Sequence, residues 1–86
     1  MEVLFSPKAQ KSLDEMDATL RKLFLGHAEK IASNPNQRHM RFGLPFFVEE
    51  VTRSARLAYH IESETLFVVR CFATHKEYEK WYKSFK

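Results

Sequence analysis

Arg56-Leu57-Ala58-Tyr59-His60-Ile61, followed by Glu62-Ser63-Glu64 and then Thr65-Leu66-Phe67-Val68-Val69-Arg70-Cys71-Phe72, is the stretch whose reading decides the fold. In its first six residues Leu57, Tyr59 and Ile61 alternate with Arg56, Ala58 and His60. That is the period of two by which a strand buries one face. Glu62-Ser63-Glu64 is short and polar, as a hairpin turn is. Thr65–Phe72 is apolar on both faces, as expected of a strand in the middle of a sheet. Upstream, Phe46–Thr52 is rich in aromatic and β-branched residues and adds a further strand. Three consecutive strands at this spacing form a meander.

Outward from the meander the period changes. Thr74-His75-Lys76-Glu77 fits a capping box, a Thr at the cap and a Glu three residues on. Tyr78, Trp81, Tyr82 and Phe85 then lie at i, i+3, i+4 and i+7, one aromatic stripe on a last helix. At the other end, Val3, Leu4 and Phe5 make a short strand within Met1–Ser6, and Ser6-Pro7 starts a helix. Ala9, Leu13, Met16, Leu20, Leu23, Phe24, Ala28 and Ile31 continue at helical spacing. One helix from Pro7 to Ser33 would be about 40 Å long, too long for a compact domain with a radius of gyration of about 12 Å. A break near Met16–Thr19, with Asp17 capping a second, antiparallel helix, is therefore expected. Asn34-Pro35-Asn36 ends that helix, and a basic loop through Arg38, His39 and Arg41 leads to the strands. The order is β-α-α-β-β-β-α. The expected fold class is α+β: a small, mostly antiparallel sheet with two N-terminal helices and a C-terminal helix.

The chain has 86 residues, enough for a single domain spanning 1–86, which buries roughly 60% of its unfolded surface. An apolar share of 44% excludes a disordered chain. No apolar run reaches the roughly 18–20 residues of a membrane span. Ser6, Pro7 and Lys8 interrupt the apolar start too early for a signal peptide. The expectation is a cytoplasmic protein with no membrane partner. Cys71 is the one cysteine, which excludes an internal disulfide and a structural zinc site. The histidines at 27, 39, 60 and 75 lack ligand-like spacing, so no metal or cofactor is expected. A net charge of +3 leans toward acidic partners, nucleic acid or an acidic protein.

Several residues carry candidate chemistry. His75 falls in the first turn of the last helix. The positive helix end there disfavours a charged imidazole, and Glu79 one turn on favours it. Imidazole is the side chain that exchanges protons near neutral pH; the same placement also describes a surface histidine beside a cap. Arg53 and Arg56 flank Ser54-Ala55. Arg56 points off the core face, where a guanidinium on a rigid strand grips phosphate. An ion pair with Glu49 or Glu50 is the other reading. Arg38, His39 and Arg41 with Lys76 and Lys80 are candidates for neutralising RNA phosphates, although a lysine stripe is also an ordinary helix face. Tyr78 lies one turn from His75 on the same side, whereas Trp81 and Phe85 read as core.

In order and spacing the whole chain resembles the RelE/ParE toxin superfamily. Val51-Thr52-Arg53-Ser54-Ala55-Arg56-Leu57-Ala58-Tyr59 is similar to the segment in which those toxins carry an arginine before an apolar-x-Tyr triplet. Phe72-Ala73-Thr74-His75-Lys76-Glu77-Tyr78 resembles their His-x-x-Tyr-type ending. The resemblance implies a toxin that enters the ribosome, cuts mRNA there and is neutralised by a cognate antitoxin. It further implies that the cut uses the RNA 2′-hydroxyl and acid–base catalysis without a metal. Arg56 matches the family's phosphate-binding arginine, and His75 the C-terminal acid of YoeB- and YafQ-like members. Tyr78 matches a nearby functional tyrosine, and Arg53 a second basic position on the sheet. The sequence departs from the pattern at the base. YoeB-like members use a glutamate ahead of the meander, and Arg38–Pro45 has none. Glu49, Glu50, His39 or no base at all remain as alternatives. Two other functions share the fold: a ParE-like gyrase poison, which lacks the C-terminal histidine, and an inactive partner or repressor.

If the basic loop meets RNA, Arg38→Ala with Arg41→Ala should flatten the salt dependence of ribosome binding. Each lost phosphate contact should lower the log–log slope by somewhat under about 1. Sedimentation binding across a salt series checks this, and an unchanged slope would remove the loop from the interface.

Overall fold

The computed structural model describes residues 1–34 and 46–84; Arg38, His39, Arg41 and Phe85 of the expectations above lie outside the described residues. The elements are β1 (Glu2–Phe5), α1 (Pro7–Asp14), α2 (Ala18–Ser33), β2 (Phe47–Glu50), β3 (Arg56–Glu62), β4 (Thr65–Phe72) and α3 (His75–Lys83). The fold is α+β in the order read from the sequence. The sheet order is β1-β4-β3-β2. The β2–β3–β4 meander is antiparallel, and β1 adds to the far side of β4 in parallel, with Val3 opposite Leu66 and Phe5 opposite Val68. β2 is shorter than the expected Phe46–Thr52, because Val51 and Thr52 enter a turn whose amides bond the Ala55 carbonyl.

The helix starts follow from local chemistry. Ser6 Oγ accepts from the Ala9 amide, Asp17 Oδ1 from Leu20, and Thr74 with Glu77 closes a reciprocal capping box. The end of α1 is closed from α2: the Arg21 guanidinium donates to the carbonyls of Leu13, Asp14 and Met16 at 2.9, 3.4 and 2.8 Å. Leu13 and Asp14 are in the last turn of the helix, where carbonyls lack intrahelical donors, and Met16 follows its cap; Leu13 O also accepts from the Met16 amide.

Both sheet faces are covered. On one, Ala9, Leu13, Phe24, Ala28 and Ile31 of the N-terminal helices pack with Leu57, Tyr59, Leu66, Val68 and Cys71. Burial there pushes the Cys71 thiol up to about 12. On the other, α3 lays Tyr78, Trp81 and Tyr82 over Val48, Ala58 and Phe72. Ala58, read from its alternation as sharing a face with Arg56 and His60, does so and is completely buried under α3.

The two-sided apolarity of β4 has a specific cause. Its register against β3 shifts between Ala58 and Tyr59: Ala58 is opposite Arg70, but Tyr59 is opposite Val68. Val69 is the extra residue of a bulge, and it inverts the alternation. Leu66 and Val68 face the N-terminal helices, and so does Cys71, while Arg70 and Phe72 face α3. The bulge carbonyls are satisfied by one residue. Ser6 donates its amide to Val68 O at 2.9 Å and its hydroxyl to Val69 O.

Ser6→Ala removes a cap and a bulge bond together and should destabilise by about 1–3 kcal/mol. Leu57→Ala, a truncation at a site with no exposure, should cost about 2–5 kcal/mol. Urea unfolding followed by circular dichroism checks both; a Ser6→Ala midpoint equal to wild type would deny the bulge bond its role.

Candidate functional site

The α3-facing side of the meander gathers four of the singled-out residues. Arg56 opens β3 opposite Glu50 of β2 and Phe72 of β4. Its side chain is only 13% exposed and folds back over the β2–β3 turn. There Nη1 donates to the carbonyls of Thr52, Arg53 and Ala55, each at 3.0 Å. The turn has its own lock: Thr52 Oγ1 accepts from the amides of Ser54 and Ala55 at 3.3 and 3.0 Å. The completely buried Ala55 anchors it to the core. On the open side of the guanidinium, Nη2 is 3.9 Å from Glu50 Oε1.

Tyr78 packs against His75 and feels the charge of Arg56. Its ring is 8% exposed and meets Phe72 edge-on, with centroids 5.8 Å apart. Burial raises the phenol above its ordinary range, Tyr82 adds to this, and the Arg56 charge opposes it. A phenol so placed is a neutral hydrogen-bond donor at physiological pH. His75, half-exposed in the first turn of α3, is edge-on to Tyr78 at 5.8 Å. Its Nδ1 is 3.3 Å from Glu79 Oε1, the one-turn neighbour expected from the sequence. A guanidinium, a phenol and an imidazole thus lie in sequence along one edge, with the Glu50 carboxylate beside the guanidinium.

Other sequence candidates fall elsewhere. Arg53 is not on the sheet but in the exposed β2–β3 turn, where its carbonyl helps hold Arg56. Lys76 is exposed on the first turn of α3, next to His75. Lys80 lines a cleft of about 740 Å³ in the company of Glu15, Asp17 and Glu77, surroundings poor for a phosphate. Glu49 is opposite Leu57 and turns to the N-terminal helices. It is 6% exposed, and its Oε2 is 2.5 Å from His27 Nδ1. Of the two acids left open as a base, Glu50 alone shares the face of Arg56. Two consecutive residues of a strand point oppositely, and this signal was available from the alternation. The Thr52 lock has a local sequence signal of its own, because a Thr two and three residues before Ser54 and Ala55 is a recognisable side-chain turn. Among the described residues, no three or more His, Cys, Asp or Glu side chains are grouped as metal ligands. No described helix is long and apolar enough to cross a membrane.

The sequence matches no protein-family model and no curated protein. The fold does match solved structures. Isolated E. coli RelE toxin superposes with a TM-score of 0.74 at 18% identity, covering 99% of this chain and 98% of that one. The toxin of the intact E. coli RelBE toxin–antitoxin complex gives 0.73 at 19%, covering 83% and 93%. The YoeB–YefM complex from Staphylococcus aureus gives 0.70 at 13%, covering 84% and 94%. The chain has the fold of the RelE/ParE toxin superfamily.

Thr52→Val should free the turn, so that the Ala55 amide exchanges faster with solvent and the Arg56 guanidinium becomes more mobile. Thr52→Ser, which keeps the hydroxyl, should preserve both. NMR hydrogen exchange and Arg Nε–Hε relaxation check this; an Arg56 equally rigid in Thr52→Val would show that the hydroxyl does not hold it.

Proposed function

We propose that this protein is the toxin of a toxin–antitoxin pair and that it cleaves mRNA on the ribosome through the RNA's own 2′-hydroxyl. The observation that carries this reading is the arrangement of Arg56, Tyr78 and His75 along one edge of a RelE-type fold, with Glu50 on the same face. In such a cleavage the 2′ oxygen attacks phosphorus, the bond to the 5′ oxygen breaks, and a cyclic phosphate and a 5′-hydroxyl result. Arg56 holds the phosphate and stabilises the charge that builds on its oxygens. Tyr78 donates a hydrogen bond to the same group. His75 gives its proton to the departing 5′ oxygen, and Glu50 takes the 2′ proton. Arg53 and Lys76 contribute positive charge at the rim. Neutralisation falls to an antitoxin whose acidic or amphipathic segment covers this edge.

One observation favours a second reading, an inactive member that acts only as the antitoxin's partner. Arg56 Nη1 is already engaged by three carbonyls of its own chain, and such a residue serves a purely structural role equally well.

Single-turnover cleavage of mRNA held in ribosomes tests the proposal. Arg56→Ala should slow cleavage about 10²–10³-fold at every pH. His75→Ala should slow it about 10²–10⁴-fold and change the shape of the pH–rate profile. A better leaving group at the 5′ oxygen should rescue His75→Ala and leave Arg56→Ala impaired, because only the former lacks the proton donor. Folded variants cutting at the wild-type rate would remove this site, and a wild-type protein that leaves mRNA intact would leave the partner-only reading.

A further inference from the structure

Beside the edge just described, on the same side of the sheet, lies a pocket of about 470 Å³ that the proposed cleavage does not use. Its walls come from the β1–α1 junction, from β4 and from α3. Phe46 and Trp81 line it, their ring centroids 5.7 Å apart and their planes 29° from parallel. Lys8, exposed on the first turn of α1, and Arg70 of β4 also line it, and among the described lining residues there is no carboxylate. Arg70 carries the more telling feature. Its Nε is buried and has no hydrogen-bond partner, while its guanidinium is held over the Phe72 ring, 5.2 Å from the centroid. A buried donor without an acceptor is costly, and such groups in native structures call for an explanation. The Nε is closed to solvent, so a ligand's acceptor meets it only as the Arg70 side chain turns into the pocket it lines.

We infer that this pocket binds a nucleotide unit, with the base against Phe46 and Trp81 and the phosphate between Arg70 and Lys8. The chemistry points to this class for three reasons. Aromatic walls are the surfaces on which nucleobases stack. Lys8 and Arg70 bring two cations to this pocket with no carboxylate among its described lining residues, while Arg70 also borders the neighbouring cleft of Glu15, Asp17 and Glu77, and a guanidinium is a phosphate donor. The volume lies in the range of small-molecule and cofactor sites. The bulge at Val69 creates the site, because it sends Arg70 to the α3 side rather than into the main core. The inference is independent of cleavage: the pocket takes the nucleotide whether it is free or one unit of an RNA strand.

Trp81 is the chain's single tryptophan, so its fluorescence reports on this pocket directly. The full chain is titrated with GMP, AMP, guanosine, inorganic phosphate, a short single-stranded oligoribonucleotide and an acidic peptide. Saturable change with GMP and AMP is expected, with guanosine weaker for want of the phosphate. Arg70→Met, which keeps the side-chain stem, should weaken nucleotide binding by about 10-fold or more. Lys8→Met, on an exposed position that cannot disturb the core, should weaken it by roughly 2–5-fold. Tighter binding of the oligoribonucleotide than of GMP assigns the pocket to an RNA strand, and equal affinity assigns it to a free nucleotide. Absence of saturable nucleotide binding, affinities unchanged in both variants, or binding of the acidic peptide alone would overturn the inference. Each outcome is read without any cleavage, so failure here and failure of the proposed nuclease are separable.

Discussion

The rest of the structure depends on how Ser6 meets the bulge in β4. One side chain and its own amide cap α1, bind Val68 O and bind Val69 O. A bulge leaves backbone groups outside the regular ladder, and buried carbonyls without donors are rare because they are costly. Ser6 supplies those donors at the one place where β1 ends and α1 begins. The parallel docking of β1, the start of α1 and the phase of β4 are therefore one event. Without the inversion, the alternation from Leu66 and Val68 would carry Arg70 into the core under the N-terminal helices. With it, Cys71 enters that core and Arg70 joins the aromatic side.

The same two-faced logic separates neighbours with like chemistry. Glu49 and Glu50 are adjacent carboxylates, yet one is buried against His27 and the other is exposed beside Arg56. A strand cannot offer both to the same site. The side of the sheet that α3 covers consequently holds a short row of polar and aromatic groups, Glu50, Arg56, Tyr78 and His75. Behind them stands the rigid packing of Phe72 and Ala58. Placing such groups on strands and a capped helix fixes them better than loops would.

What was legible in the sequence was local. Ser6, Asp17 and Thr74 announce helix starts because caps act within three residues, and Leu57, Tyr59 and Ile61 announce a strand through alternation. Arg56, Tyr78 and His75 stand out by residue type and spacing, and the resemblance gives them roles; their nearness in space is tertiary and shows only in the structure. What was not legible was pairing over distance. Nothing near Val3 states that it lies beside Leu66, and nothing in Val68-Val69 distinguishes a bulge from an unbroken central strand. Arg21 closing α1 from α2 is a contact between elements, invisible to periodicity. The resemblance puts Arg53 on the sheet, but it lies in a turn. The turn around it forms because Thr52 bonds the amides of Ser54 and Ala55 instead of a partner strand.

The geometry of Arg56 also decides how a phosphate would reach it. Three carbonyls occupy Nη1 and compensate the burial of a charge that would otherwise be expensive. Their effect is to fix the guanidinium plane and leave Nη2 facing outward. The group beside Nη2 is Glu50 at 3.9 Å, with a carboxylate side chain 56% exposed. At that separation the pair makes no hydrogen bond, whereas one hydrogen bond to a charged group contributes about 1.5–3 kcal/mol. An acceptor that made a full hydrogen bond to Nη2 would therefore outcompete Glu50. The carbonyls hold the arginine in a fixed orientation, and the loose contact with Glu50 leaves that carboxylate the easier of the two to move.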